Sequence, residues 1–167
     1  TLIPERADAV IETVAQGKGI LVVQYLKNAA NVFELFDLSG KPLGQVELPG
    51  IGSATIVAEL DRTEAYVEFT SFNYPRTIFR VDLAKPAAVP ELWVRPAVPV
   101  DPSTVEVEEV WYPSKDGTKV SMFLVHRKGL EKNGDNPTIL DGYGGFSVSI
   151  TPASNAKAFP FIEAGGV

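Results

Sequence analysis

The tightest constraint on the fold is a weak internal echo at an offset of about 45 residues. Phe36-Asp37-Leu38 returns as Val81-Asp82-Leu83, and Lys41-Pro42 returns as Lys85-Pro86. The run Ile20-Leu21-Val22-Val23-Gln24-Tyr25 falls over Ala65-Tyr66-Val67-Glu68-Phe69-Thr70 at the same offset. Each unit consists of short segments rich in Val, Ile, Phe and Tyr, cut by prolines and glycines, which is a β pattern. The pattern predicts strands over residues 19–26, 32–38, 43–48, 54–60, 65–72 and 77–83. Residues 5–14 read either as a short helix or as a strand with its approach loop. Four short strands in ~45 residues is the size of a β-propeller blade. Two hairpins of one sandwich would leave the same two copies, so both architectures stand at this point.

Residues 87–102 change character. Pro90, Pro96, Pro99 and Pro102 fall there with few strand-length runs, which predicts a linker or domain crossover. Beyond it, two alternating runs at 105–112 and 118–126 flank Asp116-Gly117, a strong hairpin signal. A polar loop is expected over 129–136 and a short buried strand over 138–140. Two modules therefore meet near residue 100: a first over 1–100 and a second over 101–167. The chain opens without Met and stops at Ala164-Gly165-Gly166-Val167, with nothing that reads as a closing element. It is expected to be a segment of a longer polypeptide.

Charge and composition narrow the function. The net charge of −6 and the absence of any basic block argue against a nucleic-acid or anionic-membrane surface. With no cysteine, disulfides, thiolate metal sites and cysteine nucleophiles drop out. One histidine without clustered ligand spacing predicts no metal site. No apolar run approaches the ~20 residues of a membrane span. The expectation is a soluble protein of cytoplasm or periplasm, the compartment itself being unknown, with no cofactor.

The segment that carries chemistry is Pro137-Thr-Ile-Leu-Asp-Gly-Tyr-Gly-Gly-Phe146. Gly142, Gly144 and Gly145 let the backbone take turns that a side chain would forbid. Tyr143 and Phe146 stand among them, as packing plugs over the turn or as rings presented to a ligand. Local sequence favours packing. Gly-x-Gly-x-x-Gly fails because Ser147 stands where its last glycine belongs. Gly145-Phe146-Ser147-Val148-Ser149 lacks the final glycine of a nucleophile elbow, and no helix pattern begins there. Ser147 is therefore not expected to be a nucleophile. His126 has no local carboxylate or serine partner and is expected at a strand end or on the surface. Glu106, Glu108 and Glu109 are expected to form a solvated face.

Longer stretches add a resemblance. Val110-Trp-Tyr-Pro-Ser-Lys-Asp-Gly-Thr-Lys-Val120, Met122-Phe-Leu-Val-His-Arg-Lys-Gly-Leu130, Asn136-Pro-Thr-Ile-Leu140 and Gly142-Tyr-Gly-Gly-Phe146 resemble the start of the hydrolase domain in prolyl oligopeptidases. Asn31-Val-Phe-Glu-Leu35 and Glu68-Phe-Thr-Ser-Phe72 resemble that family's last propeller blades. The resemblance implies a two-domain serine peptidase, a seven-bladed propeller capping an α/β-hydrolase domain, that cleaves oligopeptides on the carboxyl side of proline. This mostly-β chain would supply the last blades, the crossover and the first hydrolase strands. The catalytic Ser, Asp and His would lie beyond Val167. Tyr143 would be the oxyanion-hole tyrosine, Phe146 would line the pocket for the substrate proline, and no metal or cofactor would take part. The partners implied are a proline-containing oligopeptide and the remainder of the chain's own polypeptide. Asp141 stands where the family usually has an aromatic residue. Two other readings remain: an independent β-rich binding module without catalysis, and a related oligopeptidase that cleaves after basic residues.

Overall fold

The computed structural model describes Thr1–Val167, and its first 94 residues form two four-stranded antiparallel sheets of matching topology. The first runs β1 (Val10–Gly17), β2 (Ile20–Lys27), β3 (Ala30–Asp37) and β4 (Pro42–Val46) in spatial order. The second repeats that order with β5 (Ser53–Ala58), β6 (Glu64–Ser71), β7 (Tyr74–Asp82) and β8 (Glu91–Val94). The sequence echo maps one sheet on the other, because Phe36-Asp37 and Val81-Asp82 end the third strand of each. The two sheets do not close into a ring.

Alternation drives the packing. Along β6, Ala65, Val67, Phe69 and Ser71 are buried while their neighbours are half-exposed, as a strand with one core face requires. Ala65, Val67 and Phe69 meet Ile20, Val22, Phe33, Leu35 and Val46 of the first sheet in one apolar cluster. Full burial of such side chains is worth about 1.5–3 kcal/mol each, so this inter-sheet layer is the main core. β2 is buried on both faces, because Val23, Tyr25 and Phe36 form a second small cluster behind it. Asn31 ties the sheets together: its Oδ1 accepts from Ala54 N at 2.8 Å, and its Nδ2 donates to Glu12 Oε2 at 2.7 Å.

One open reading is decided here and two sequence expectations are corrected. Residues 5–14 hold no helix; β1 starts at Val10 after an approach loop. The linker predicted over 87–102 contains β8, which pairs with β7 through Ile78↔Val94, Phe79↔Leu92 and Arg80↔Glu91. All four β8 residues are exposed, so no burial alternation marked it. Arg80 Nε donates to Glu91 Oε2 at 3.2 Å, and Trp93 meets Tyr66 edge-on at 5.5 Å. The strand expected over 138–140 does not form, and Ile139 and Leu140 are exposed. Their apolar character had no neighbouring strand to pair with. Only Ile139 N→Val167 O and Val167 N→Pro137 O, both 2.9 Å, hold this stretch to the chain's end.

The second module is built on the predicted hairpin, β9 (Val105–Pro113) with β10 (Lys119–Arg127), and a short helix α1 (Phe159–Glu163). Asp116-Gly117 makes the turn as expected: Gly117 sits at φ +84°, and Ser114 N donates to Thr118 O at 2.8 Å. The polar loop after β10 is present. Phe159 and Ile162 bury themselves against Val105 and Val125. The β6–β7 turn carries this module: Asn73 Nδ2 donates to Val105 O at 2.8 Å, and Phe72 packs on Phe123 at 5.6 Å. Ser53 Oγ donates to Pro152 O at 2.7 Å, seating the segment after the glycine-rich stretch against the second sheet.

Candidate functional site

The glycine-rich segment lies between these two anchors, the 137–139 contact with Val167 and the Pro152 contact with β5. Its turn forms differently from the glycine pattern. Gly144 is left-handed, at φ +70°, while Gly142 and Gly145 are not. The remaining left-handed residues are Phe146 and Ser147, both at φ +55°. Val148 N donates to Gly145 O at 3.1 Å, closing a turn around them. Positive φ at both central residues is the mark of a type I′ turn, a role filled chiefly by Gly, Asn and Asp. A bulky residue there is a genuine outlier that costs on the order of 1–3 kcal/mol, and such strain collects at binding and catalytic sites.

The rings of this turn are presented. Tyr143 is 60% exposed and Phe146 is 93% exposed, and neither pairs with another aromatic ring. The Tyr143 hydroxyl has no hydrogen-bond partner within the chain. Within this chain neither ring is packed over the turn. A Cβ at Gly142, Gly144 or Gly145 would meet nothing within 4 Å, so only Gly144, at φ +70°, uses the conformational freedom of glycine. Asp141 is exposed and makes no ion pair, leaving its charge two residues from the Tyr143 ring. Ser147 is exposed and has no histidine beside it.

A second cluster is built by hairpin register, which linear spacing did not show. His126 pairs with Glu106 across the hairpin, which puts Glu108 on the same face two residues along. His126 stands at the end of β10, as one of the two expectations had it, but it is buried, at 2% exposure, and not on the surface. Its Nε2 lies 2.7 Å from Glu108 Oε1 and its Nδ1 lies 2.9 Å from Arg127 O. Lys132 Nζ donates to both Glu108 oxygens at 2.7 and 2.9 Å. The Lys132 ammonium and the His126 ring together hold the Glu108 carboxyl below the usual range for a glutamate. Glu106, Glu108 and His126 bring their ligand-type atoms within 4.8 Å of one another, but the Lys132 ammonium occupies Glu108. The solvated face predicted for the three glutamates holds for Glu106 only: Glu108 is paired, and Glu109 buries an oxygen on the opposite face. No helix is long and apolar enough to cross a membrane.

Two blade-sized sheets, a hairpin and a strained, ring-bearing turn seated against β5 and the segment's last residue have counterparts among known proteins. Residues 1–91 match the sequence model of the prolyl oligopeptidase N-terminal β-propeller domain. The chain belongs to the prolyl oligopeptidase family. It is 36% identical over 166 residues to a prolyl endopeptidase of Elizabethkingia miricola, covering 96% of this chain and 23% of that protein. It is 32% identical over 167 residues to the dual-function macrocyclase-peptidase POPB of Amanita bisporigera, covering 98% of this chain and 23% of that one. A solved structure from work on two prolyl endopeptidases and their inter-domain dynamics superposes with a TM-score of 0.85. It is 41% identical, and the match covers 99% of this chain and 24% of that one. Prolyl oligopeptidase B of Galerina marginata gives a TM-score of 0.82 at 29% identity over 98% of this chain and 24% of its own. The chain thus spans about a quarter of the length of the relatives it matches.

Proposed function

We propose that this chain is the part of a proline-specific serine endopeptidase in which propeller and hydrolase domains join. In this reading residues 1–100 are the last two blades of a seven-bladed propeller, and residues 101–167 open the α/β-hydrolase domain. The parent enzyme cleaves oligopeptides on the carboxyl side of proline by acyl transfer through a serine outside this segment. The observation that carries the reading is the stretch 143–147, where two large rings are left uncovered within this chain and one of them, Phe146, sits on strained backbone.

Attack of a serine oxygen on a peptide carbonyl moves negative charge onto the carbonyl oxygen. The Tyr143 O–H makes no hydrogen bond within this chain and is free to serve as the oxyanion donor that the family resemblance assigns to it. It donates to that oxygen beside a backbone N–H from the nucleophile's own turn. Phe146 offers a flat apolar face suited to the proline ring, which brings no N–H to be satisfied. Peptide partners are supported by the Galerina marginata relative, whose structure has been solved with a 35mer hydrolysis and macrocyclization substrate. The acyl transfer, as proposed, runs on side chains and backbone donors alone.

A fluorophosphonate probe, which labels activated serines, tests the division of labour. The full-length polypeptide should take the label and the isolated 167-residue chain should not. Labelling of the isolated chain would place a nucleophile within it and sink the proposal. Parallel assays of the full-length enzyme on proline and arginine peptide substrates test the specificity, and preferred cleavage after arginine would move it to the basic-residue branch.

A further inference from the structure

We propose that Asn133 is a covalent modification site, at which the side chain cyclises onto Gly134 and reopens as aspartate or isoaspartate. Asn133 and Gly134 are exposed in the loop after β10. The attacking group in this chemistry is the backbone nitrogen of the next residue. Gly134 N–H donates no hydrogen bond within the protein, so nothing need be broken to free it. Gly134 sits at φ +93° with open space around the position a Cβ would take. The electrophile is Asn133 Cγ, and Asn133 Oδ1 accepts from Asp135 N at 3.0 Å. That bond polarises the amide and steadies the oxygen as charge builds on it, as a donor does in any attack on a carbonyl. The Asn133 amide nitrogen, which must depart, is held by no acceptor.

The step balances without an outside reagent other than water. Gly134 N loses its proton to solvent and bonds to Asn133 Cγ, the Cγ–Nδ2 bond breaks, and the departing nitrogen takes up a proton from solvent and leaves as ammonia. Water then opens the five-membered imide. Cleavage at Cγ gives aspartate. Cleavage at the main-chain carbonyl gives isoaspartate, with the backbone rerouted through Cβ. Two other asparagines serve as internal controls. Asn136 precedes Pro137, which has no N–H to lose. Asn155 has the same turn, its Oδ1 accepting from Lys157 N at 3.1 Å, but the attacking nitrogen would belong to Ala156, whose methyl group crowds the approach.

The site adjoins Lys132, whose ammonium bridges both Glu108 oxygens. A new carboxylate at residue 133 competes for that ammonium, and isoaspartate also lengthens the loop by one backbone carbon. Incubating the full-length polypeptide at mildly alkaline pH, followed by tryptic digestion and fragment sequencing by mass spectrometry, tests the proposal. A digest at zero time subtracts conversion during work-up. A one-dalton gain is expected at Asn133, with isoaspartate detected by protein isoaspartyl methyltransferase. The same fragment carries Asn155, which should stay unchanged. Asn133→Gln should abolish the gain and Gly134→Ala should slow it. An unchanged Asn133 after the same sequence has converted in a free peptide, or equal conversion at Asn155, would overturn the proposal.

Discussion

Replacing Tyr143 by Phe removes one oxygen and leaves everything else in place, which makes it the cleanest probe of the proposed oxyanion hole. Two magnitudes matter. The hydroxyl has no partner in the chain and the ring is 60% exposed, so its loss breaks no contact. A surface change of that kind shifts folding stability by no more than about 0.5 kcal/mol. In the reaction the hydroxyl would meet a charge present only in the transition state. Losing one such donor costs about 3–4 kcal/mol, which is on the order of a hundred- to thousand-fold in kcat. The two numbers differ enough to separate a structural role from a catalytic one.

The assay is steady-state cleavage of a proline peptide by the full-length enzyme, with thermal unfolding measured on the same samples. The expected outcome is a large fall in kcat, little change in KM and an unmoved Tm. An interaction made equally in ground and transition states would instead raise KM with kcat intact. An unchanged kcat would remove Tyr143 from the oxyanion hole, and a collapse in Tm would make the ring a packing element after all.

Further outcomes follow from particular contacts. Gly52→Ala puts a Cβ 2.2 Å from Phe69 Cε2 and 2.5 Å from Thr70 O, so it should cost about 1–3 kcal/mol, read as a lowered Tm. Phe159→Ala empties the small cluster under β9 and β10 and should cost about 3–5 kcal/mol locally. Hydrogen exchange should then rise in β10 and α1 while β2 and β6 keep their protection. Because Lys132 and His126 hold the Glu108 carboxyl low, its ionised form adds stability above the ordinary carboxylate range. That contribution is lost as pH falls through the depressed value, so Glu108→Gln should flatten this part of the acid limb in stability measured against pH. Asp141→Asn removes an exposed charge near the proposed oxyanion and should raise kcat at low ionic strength, with the gain fading as salt is added. A gain indifferent to salt would show that charge is not the cause.

What the sequence disclosed depended on how far each signal reached along the chain. The sheets were legible because alternation and the 45-residue echo are local or periodic, and β6 carries both in Ala65, Val67 and Phe69. The β9–β10 hairpin was legible from Asp116-Gly117. β8 was hidden because an exposed edge strand has no buried face, and the charge pair that holds it joins residues 80 and 91. Residues 138–140 misled because apolar character reports burial in some context, not the presence of a neighbouring strand. His126 and Glu108 were within reach: counting back from the turn at 116–117 pairs residues 126 and 106, and Glu108 then shares their face. Depth was the part that counting could not supply, since the burial of His126 depends on how the module packs around the hairpin.

The glycine-rich turn marks the sharper limit. Its glycines announced unusual backbone, and the unusual backbone is there, yet two of the five residues that follow Gly142 bear it against type: Phe146 and Ser147. A packing ring offsets conformational strain by the apolar surface it buries. Phe146 carries strain of about 1–3 kcal/mol and buries almost nothing within this chain. Within the chain, one backbone hydrogen bond, Val148 N→Gly145 O, closes the turn around that conformation. A strained residue persists only where its surroundings over-determine it. Strain and exposure falling on the same ring therefore weigh against a plug and in favour of a group held ready for contact with what the site receives.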